Sequence, residues 1–88
     1  MTILEIYDHL KARGYVVDQY MFDRNWMGRR EGYLAYVKST GADPSIESLF
    51  KLHIRLLRAE AMEARFDVNT GHLRELANRV MAEIERRC

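Results

Sequence analysis

The chain has 88 residues, 48% apolar and 31% charged. That length suits one small globular domain, and that balance excludes a disordered segment. The formal net charge is +1, with six Lys/Arg against six Asp/Glu in residues 1–43 and eight against seven in residues 44–88, so any cationic patch must arise from placement and not from bulk excess.

Apolar residues recur at intervals of three and four, not two, and there is one Pro, so the sequence predicts helices throughout. Helix one spans about Thr2–Arg13, with Ile3, Ile6, Tyr7 and Leu10 on one face and Gly14 as its stop. Its opening run carries Glu5 and Asp8 and lacks a basic leader, so it does not read as a signal peptide. Helix two spans about Gln19–Met27, capped by Asp18, with Val17 and Phe22 placed as a hydrophobic staple and Phe22 and Trp26 facing inward. Helix three spans about Arg30–Thr40, with Tyr33, Leu34 and Val37 inside, between Gly28 and Gly41.

Helix four opens with Asp43 as cap and Pro44 at the first helical position. Its predicted buried stripe is Ile46, Leu49, Phe50, His53, Leu56 and Leu57, and strong helix formers carry it to about Arg65. The segment FDVNTG turns the chain, with Asn69 as cap of helix five and Val68 and Leu73 as a second staple. Leu73, Leu76, Ala77, Val80 and Ile84 form the apolar face of helix five, and Arg86 and Arg87 suit its C-terminal dipole end. The expected architecture is an all-α, compact five-helix bundle in a single domain over residues 1–88. No stretch has the length and apolarity of a membrane span. The lone Cys88 offers no internal disulfide, which fits a reducing, cytoplasmic compartment.

Two short helices around Gly28, then Gly41, Pro44, Ser45 and regularly spaced Leu49 and Leu56, form an ordered pattern. It resembles the helix-turn-helix domain of phage-repressor and Cro-type (XRE-like) regulators, over roughly residues 3–58. The resemblance implies that helix two supports a recognition helix, helix three. Residues 66–88 then add a C-terminal turn and helix outside the shared core. It further implies duplex DNA as ligand, read in the major groove by Arg29, Arg30, Glu31, Tyr36, Lys38, Ser39 and Thr40. Arg suits bidentate binding of guanine, and Arg29, Arg30 and Lys38 also suit phosphate.

Other features admit two readings each. Lys51, Arg55, Arg58 and Arg65 lie along one side of helix four, as a secondary basic patch or as the solvated flank of an amphipathic helix. The face of Leu73, Leu76, Val80 and Ile84 serves either the core or a partner, including a second copy in a homodimer. Tyr15, Tyr20 and Tyr36 are less clearly inward than Tyr7, Phe22, Trp26 and Phe50, and an exposed aromatic can anchor a protein. His9, His53 and His72 lack metal-ligand spacing, and His53 on an apolar stripe reads as a hydrogen-bonded core residue. No nucleophile–base pair, phosphate loop or carboxylate dyad stands out, so neither an enzyme nor a cofactor is expected. The function expected is a small bacterial or phage transcription regulator that binds duplex DNA. The alternative keeps the helix-turn-helix scaffold and binds a transcription-factor protein, as an antiactivator would.

Overall fold

Ile3, Ile6, Tyr7 and Leu10 all turn inward along α1, Ile3–Ala12. The helix ends at Gly14, whose φ of +83° suits a residue without a side chain. Tyr15 N–H then reaches back to the Leu10 carbonyl at 2.9 Å, the six-to-one bond of a Schellman close. The computed structural model describes residues 3–65 and 71–87, and the predicted turn at FDVNTG, its Asn69 cap and the Val68 staple lie outside them.

Helix two begins as α2, Gln19–Met21, with the Asp18 carboxylate accepting from Met21 N–H at 2.9 Å. It then widens into a π-helical segment, Phe22–Trp26, closed by Met27 N–H on the Phe22 carbonyl at 3.1 Å. The wider turn lets Phe22, Asp23, Trp26 and Met27 all be buried. The staple forms differently from expectation: Val17 is 75% exposed, and Val16 takes the buried place beside the core.

Helix three, α3, runs Tyr33–Thr40 and so starts three residues later than the apolar pattern suggests. Gly28 and Gly32 both hold positive φ, and the segment between them is a loop. Helix four, α4, runs Ile46–Ala64 and is capped by Ser45, not Asp43; the Ser45 hydroxyl accepts from Ser48 N–H at 3.1 Å. Its buried face is Leu49, Leu52, Leu56 and Ala59. Phe50, expected inside, is 49% exposed, and Ile46 is exposed as well. The apolar residues of α4 cover more of its circumference than one core can bury.

Helix five, α5, spans Gly71–Arg87 and packs most extensively against α4. Leu73, Leu76, Val80 and Ile84 are all buried within this one chain. They are therefore core residues and do not form a partner or dimer face. Leu76→Ala should accordingly cost about 3 kcal/mol in urea unfolding, with a midpoint that does not move with protein concentration. The same core cluster joins Ile3, Trp26, Leu56 and Ile84, so α5 completes the domain. The fold is all-α, with five helices and no strand among the described residues. Its shortest dimension, 18 Å, matches two helix layers.

Candidate nucleic-acid interface

Residues 27–32, between helix two and α3, are pinned from both sides. From within, Asp23 is fully buried and its carboxylate accepts from Gly32 N–H at 2.9 Å and Leu34 N–H at 3.0 Å. It thus caps α3 from another helix, where Gly32 has no side chain to do so. Burial pushes the Asp23 carboxyl above its ordinary value, and its backbone N–H bonds pull the other way. From outside, Arg29 Nε donates to Ser48 Oγ at 2.5 Å and its Nη2 to Ser45 Oγ at 2.6 Å. The same guanidinium lies 5.4 Å from the centre of the Tyr33 ring, and the Tyr33 hydroxyl accepts from Ser45 N–H at 3.2 Å. The loop between helix two and α3 is thereby tied to the first turn of α4.

Three adjoining shallow depressions run from the start of α3, across this loop, to the middle of α4. Their walls carry Arg24, Arg29, Arg30, Lys51, Arg55 and Arg58 against a single carboxylate, Glu31. Surface pairs neutralise part of this: Arg24 meets Glu31 at 3.3 Å and Lys51 meets Glu47 at 3.3 Å. Arg30, Arg55 and Arg58 form no ion pair among the described residues. At the α4 end the guanidinium of Arg55 stacks 4.4 Å from the centre of the Trp26 ring. Trp26 Nε1 is buried and has no acceptor among the described residues. Close packing also reaches Gly28, where an added Cβ would sit 2.7 Å from Lys51 Cδ and φ is +67°. Gly28→Ala should cost about 1 kcal/mol, chiefly from the left-handed backbone, in a thermal melt.

The sequence-predicted readers are thus divided. Arg30, Glu31, Tyr36, Lys38, Ser39 and Thr40 are exposed along α3 and its approach. Arg29 is engaged with α4 and positions the loop. The Ser39 and Thr40 hydroxyls donate to the Tyr36 carbonyl at 3.2 and 2.8 Å, a local bond that DNA contact would have to share or replace. Of the secondary basic patch, Lys51, Arg55 and Arg58 share one groove, and Arg65 is exposed beyond it. Sequence reasoning missed Asp23 and the Ser45–Ser48 pair. An acidic residue next to inward Phe22, nine residues before a glycine, was the only available sign of that cap.

Away from this surface, His53 Nδ1 lies 2.9 Å from the Ala77 carbonyl, as a core histidine does. His9 and His72 meet at 3.3 Å between α1 and α5. Burial first, then the charges of Arg13, His72 and Arg79, hold His9 below its ordinary 6.5, against a weaker pull from Glu75. A depressed histidine contributes stability that is complete above pH 6.5 and is lost as pH falls through its folded value. Urea midpoints should therefore drop on acidification below that pH, and His9→Gln should flatten the drop. Tyr15 donates to Glu63 Oε2 at 2.6 Å, and burial together with that bond raises its hydroxyl to about 12.

A separate cleft of about 240 Å³ opens where α1, the α3–α4 connection and the end of α5 meet. At its rim Arg87 donates to the Pro44 carbonyl, which docks the last turn of α5, while Glu83 one turn back on the same helix orients the guanidinium at 3.1 Å. Arg86, with Arg87 behind it, holds Glu83 down to about 2. No group of three or more potential metal ligands converges among the described residues. None of the described helices is long and apolar enough to cross a membrane.

No curated protein and no solved structure shows a match to the chain. A family match covers residues 3–88, from the first buried residue of α1 to the end of the chain, and so takes in the whole core and the whole cationic surface. The chain belongs to the family of unknown function DUF6626.

Proposed function

We propose that the protein is a small bacterial or phage transcription regulator that acts in the cytoplasm and binds duplex DNA, with helix two and α3 as its helix-turn-helix. One observation carries this reading: the cationic track from the start of α3 across residues 27–32 onto α4. A chain with almost no net charge has gathered six cations on one continuous surface, beside the helix that the resemblance assigns to recognition. In this reading Lys51, Arg55 and Arg58 hold phosphates and fix register. Arg30, Tyr36, Lys38, Ser39 and Thr40 present polar groups to base edges, with Arg30 suited to guanine. Arg29 and Asp23 hold α3 at a fixed height above α4.

The test is the anisotropy of a labelled generic duplex titrated with the full chain at several salt concentrations. Non-specific dissociation constants on the order of 10⁻⁴ to 10⁻⁶ M at physiological salt are expected, tightening steeply as salt falls. Binding that is absent at low salt, or indifferent to salt, would overturn the reading.

A second reading is favoured by a different observation. Tyr20, Tyr36, Phe50 and Met62 are large and exposed, the residue types that anchor protein interfaces. A helix-turn-helix scaffold that sequesters a transcription-factor protein, as an antiactivator does, would use these and bind no DNA. Homodimerisation under either reading has to employ a surface other than the buried face of α5.

A further inference from the structure

Helix α4 carries two apolar seams. The inner one, Leu49, Leu52, Leu56 and Ala59, is buried in the core. The outer one is Phe50, Ile54, Leu57 and Ala61, spaced four, three and four, which is the 3.5-residue repeat of a coiled-coil seam. Only the first is fully buried; of the second, Leu57 also packs against the core, and Phe50, Ile54 and Ala61 face outward. On the outer seam Phe50 is 49% and Ile54 36% exposed, Ala61 is exposed and Leu57 is half-buried.

The flanks of the outer seam differ. With Phe50 and Leu57 at d and Ile54 and Ala61 at a, the e positions are Lys51, Arg58 and Arg65, seven residues apart and all cationic. Arg58 and Arg65 form no ion pair among the described residues, and Lys51 has only the exposed Glu47. The opposite flank is closed by α5, through His53 on the Ala77 carbonyl and Glu60 on Arg74 at 2.7 and 2.9 Å. In coiled coils the flanking charges select the partner and its orientation.

A second copy of this chain is poorly suited to the seam. Antiparallel pairing sets Lys51 of one copy against Arg65 of the other, and Arg58 against Arg58. Parallel pairing brings Glu60 to Arg65, and Glu60 is already held by Arg74.

We propose that the outer seam of α4 docks an amphipathic helix from a protein partner, with apolar residues at coiled-coil spacing and an acidic flank. The seam from Phe50 to Ala61 is roughly 17 Å long at 1.5 Å per residue. That length suits about three turns of a partner helix and a modest, salt-sensitive affinity. The proposal stands apart from DNA reading but shares Lys51, Ile54 and Arg58 with the α4 groove. An acidic helix on the seam would therefore compete with phosphate for Lys51 and Arg58.

The experiment uses two synthetic three-heptad peptides with Ile at a and Leu at d. One carries Glu at e and g, the other Lys, and like-charge repulsion keeps each from pairing with itself. Each is titrated into the full nitrogen-15-labelled chain, with amide shifts as readout. The Glu peptide should bind, moving amides from Phe50 to Arg65, and the Lys peptide should bind about tenfold or more weakly. Phe50→Ala, which removes the apolar anchor without adding charge beside Lys51, should weaken Glu-peptide binding about tenfold or more while leaving the salt slope of duplex DNA binding unchanged, which separates this proposal from the DNA reading. Arg58→Glu with Arg65→Glu should reverse the preference toward the Lys peptide. Failure of both peptides, or equal binding of both, would overturn the proposal. So would seam shifts that depend on protein concentration alone, since those mark a second copy as the occupant.

Discussion

Asp23→Ala is expected to lower the unfolding free energy by about 3 kcal/mol. The side chain is fully buried, and its two oxygens accept from Gly32 N–H and Leu34 N–H. Removing both acceptors leaves the buried Leu34 N–H and the half-buried Gly32 N–H without their partner, at roughly 1–3 kcal/mol for the buried one and less for the other. Gly32 cannot substitute as a cap, because it has no side chain. Asp23→Asn keeps one acceptor and should recover about half of the loss. Urea denaturation gives the magnitudes, and hydrogen exchange at Gly32 and Leu34 gives the location. Faster exchange should be confined to the start of α3 in the mildest variant. A loss below about 0.5 kcal/mol for Asp23→Ala, the range of an ordinary surface change, would mean that another group holds the turn.

The second large effect concerns binding. Lys51→Ala, Arg55→Ala and Arg58→Ala together should reduce the slope of log affinity against log salt by about three. Duplex affinity at physiological salt should fall on the order of tenfold to a hundredfold, equally for all sequences. Stability should change by about 1 kcal/mol or less, mostly from the lost stacking of Arg55 on Trp26. Arg30→Ala in the same assay should act differently, weakening binding and relaxing preference at a single base position. An unchanged salt slope in the triple variant would remove α4 from the DNA surface and leave those cations to other uses.

Much of the fold was legible because helical burial leaves a period in the sequence. Ile3, Ile6, Tyr7 and Leu10 on α1, and Leu73, Leu76, Val80 and Ile84 on α5, are buried as their spacing requires. The glycine stops at Gly14 and Gly41 were readable for the same local reason, the left-handed backbone each adopts. The failures share a cause as well. Periodicity cannot show the π-helical turn at Phe22–Trp26, which changes the residues per turn without changing residue types. It cannot choose between two apolar faces on one helix, so Phe50 was expected inside with Leu49. The cap of α3 comes from a residue on another helix, and no local pattern encodes it. On the candidate site, the cations of α4 were identifiable as a row. Their continuity with Arg30 depends on how loop 27–32 folds back, which only tertiary structure reveals.

Trp26 is the chain's single tryptophan, 2% exposed, with Arg55 against its ring and Tyr15 edge-on at 6.3 Å. The molecule thus carries its own optical probe. In the native state the buried indole should emit on the short-wavelength side of the tryptophan range. An anion that draws Arg55 away removes a positive charge 4.4 Å from the ring and alters the emission while the fold stays intact, whereas unfolding moves it fully to the red position of a water-exposed indole in step with loss of the helical circular dichroism. Unlabelled fluorescence read beside circular dichroism can therefore separate occupancy of the α4 groove from loss of the core.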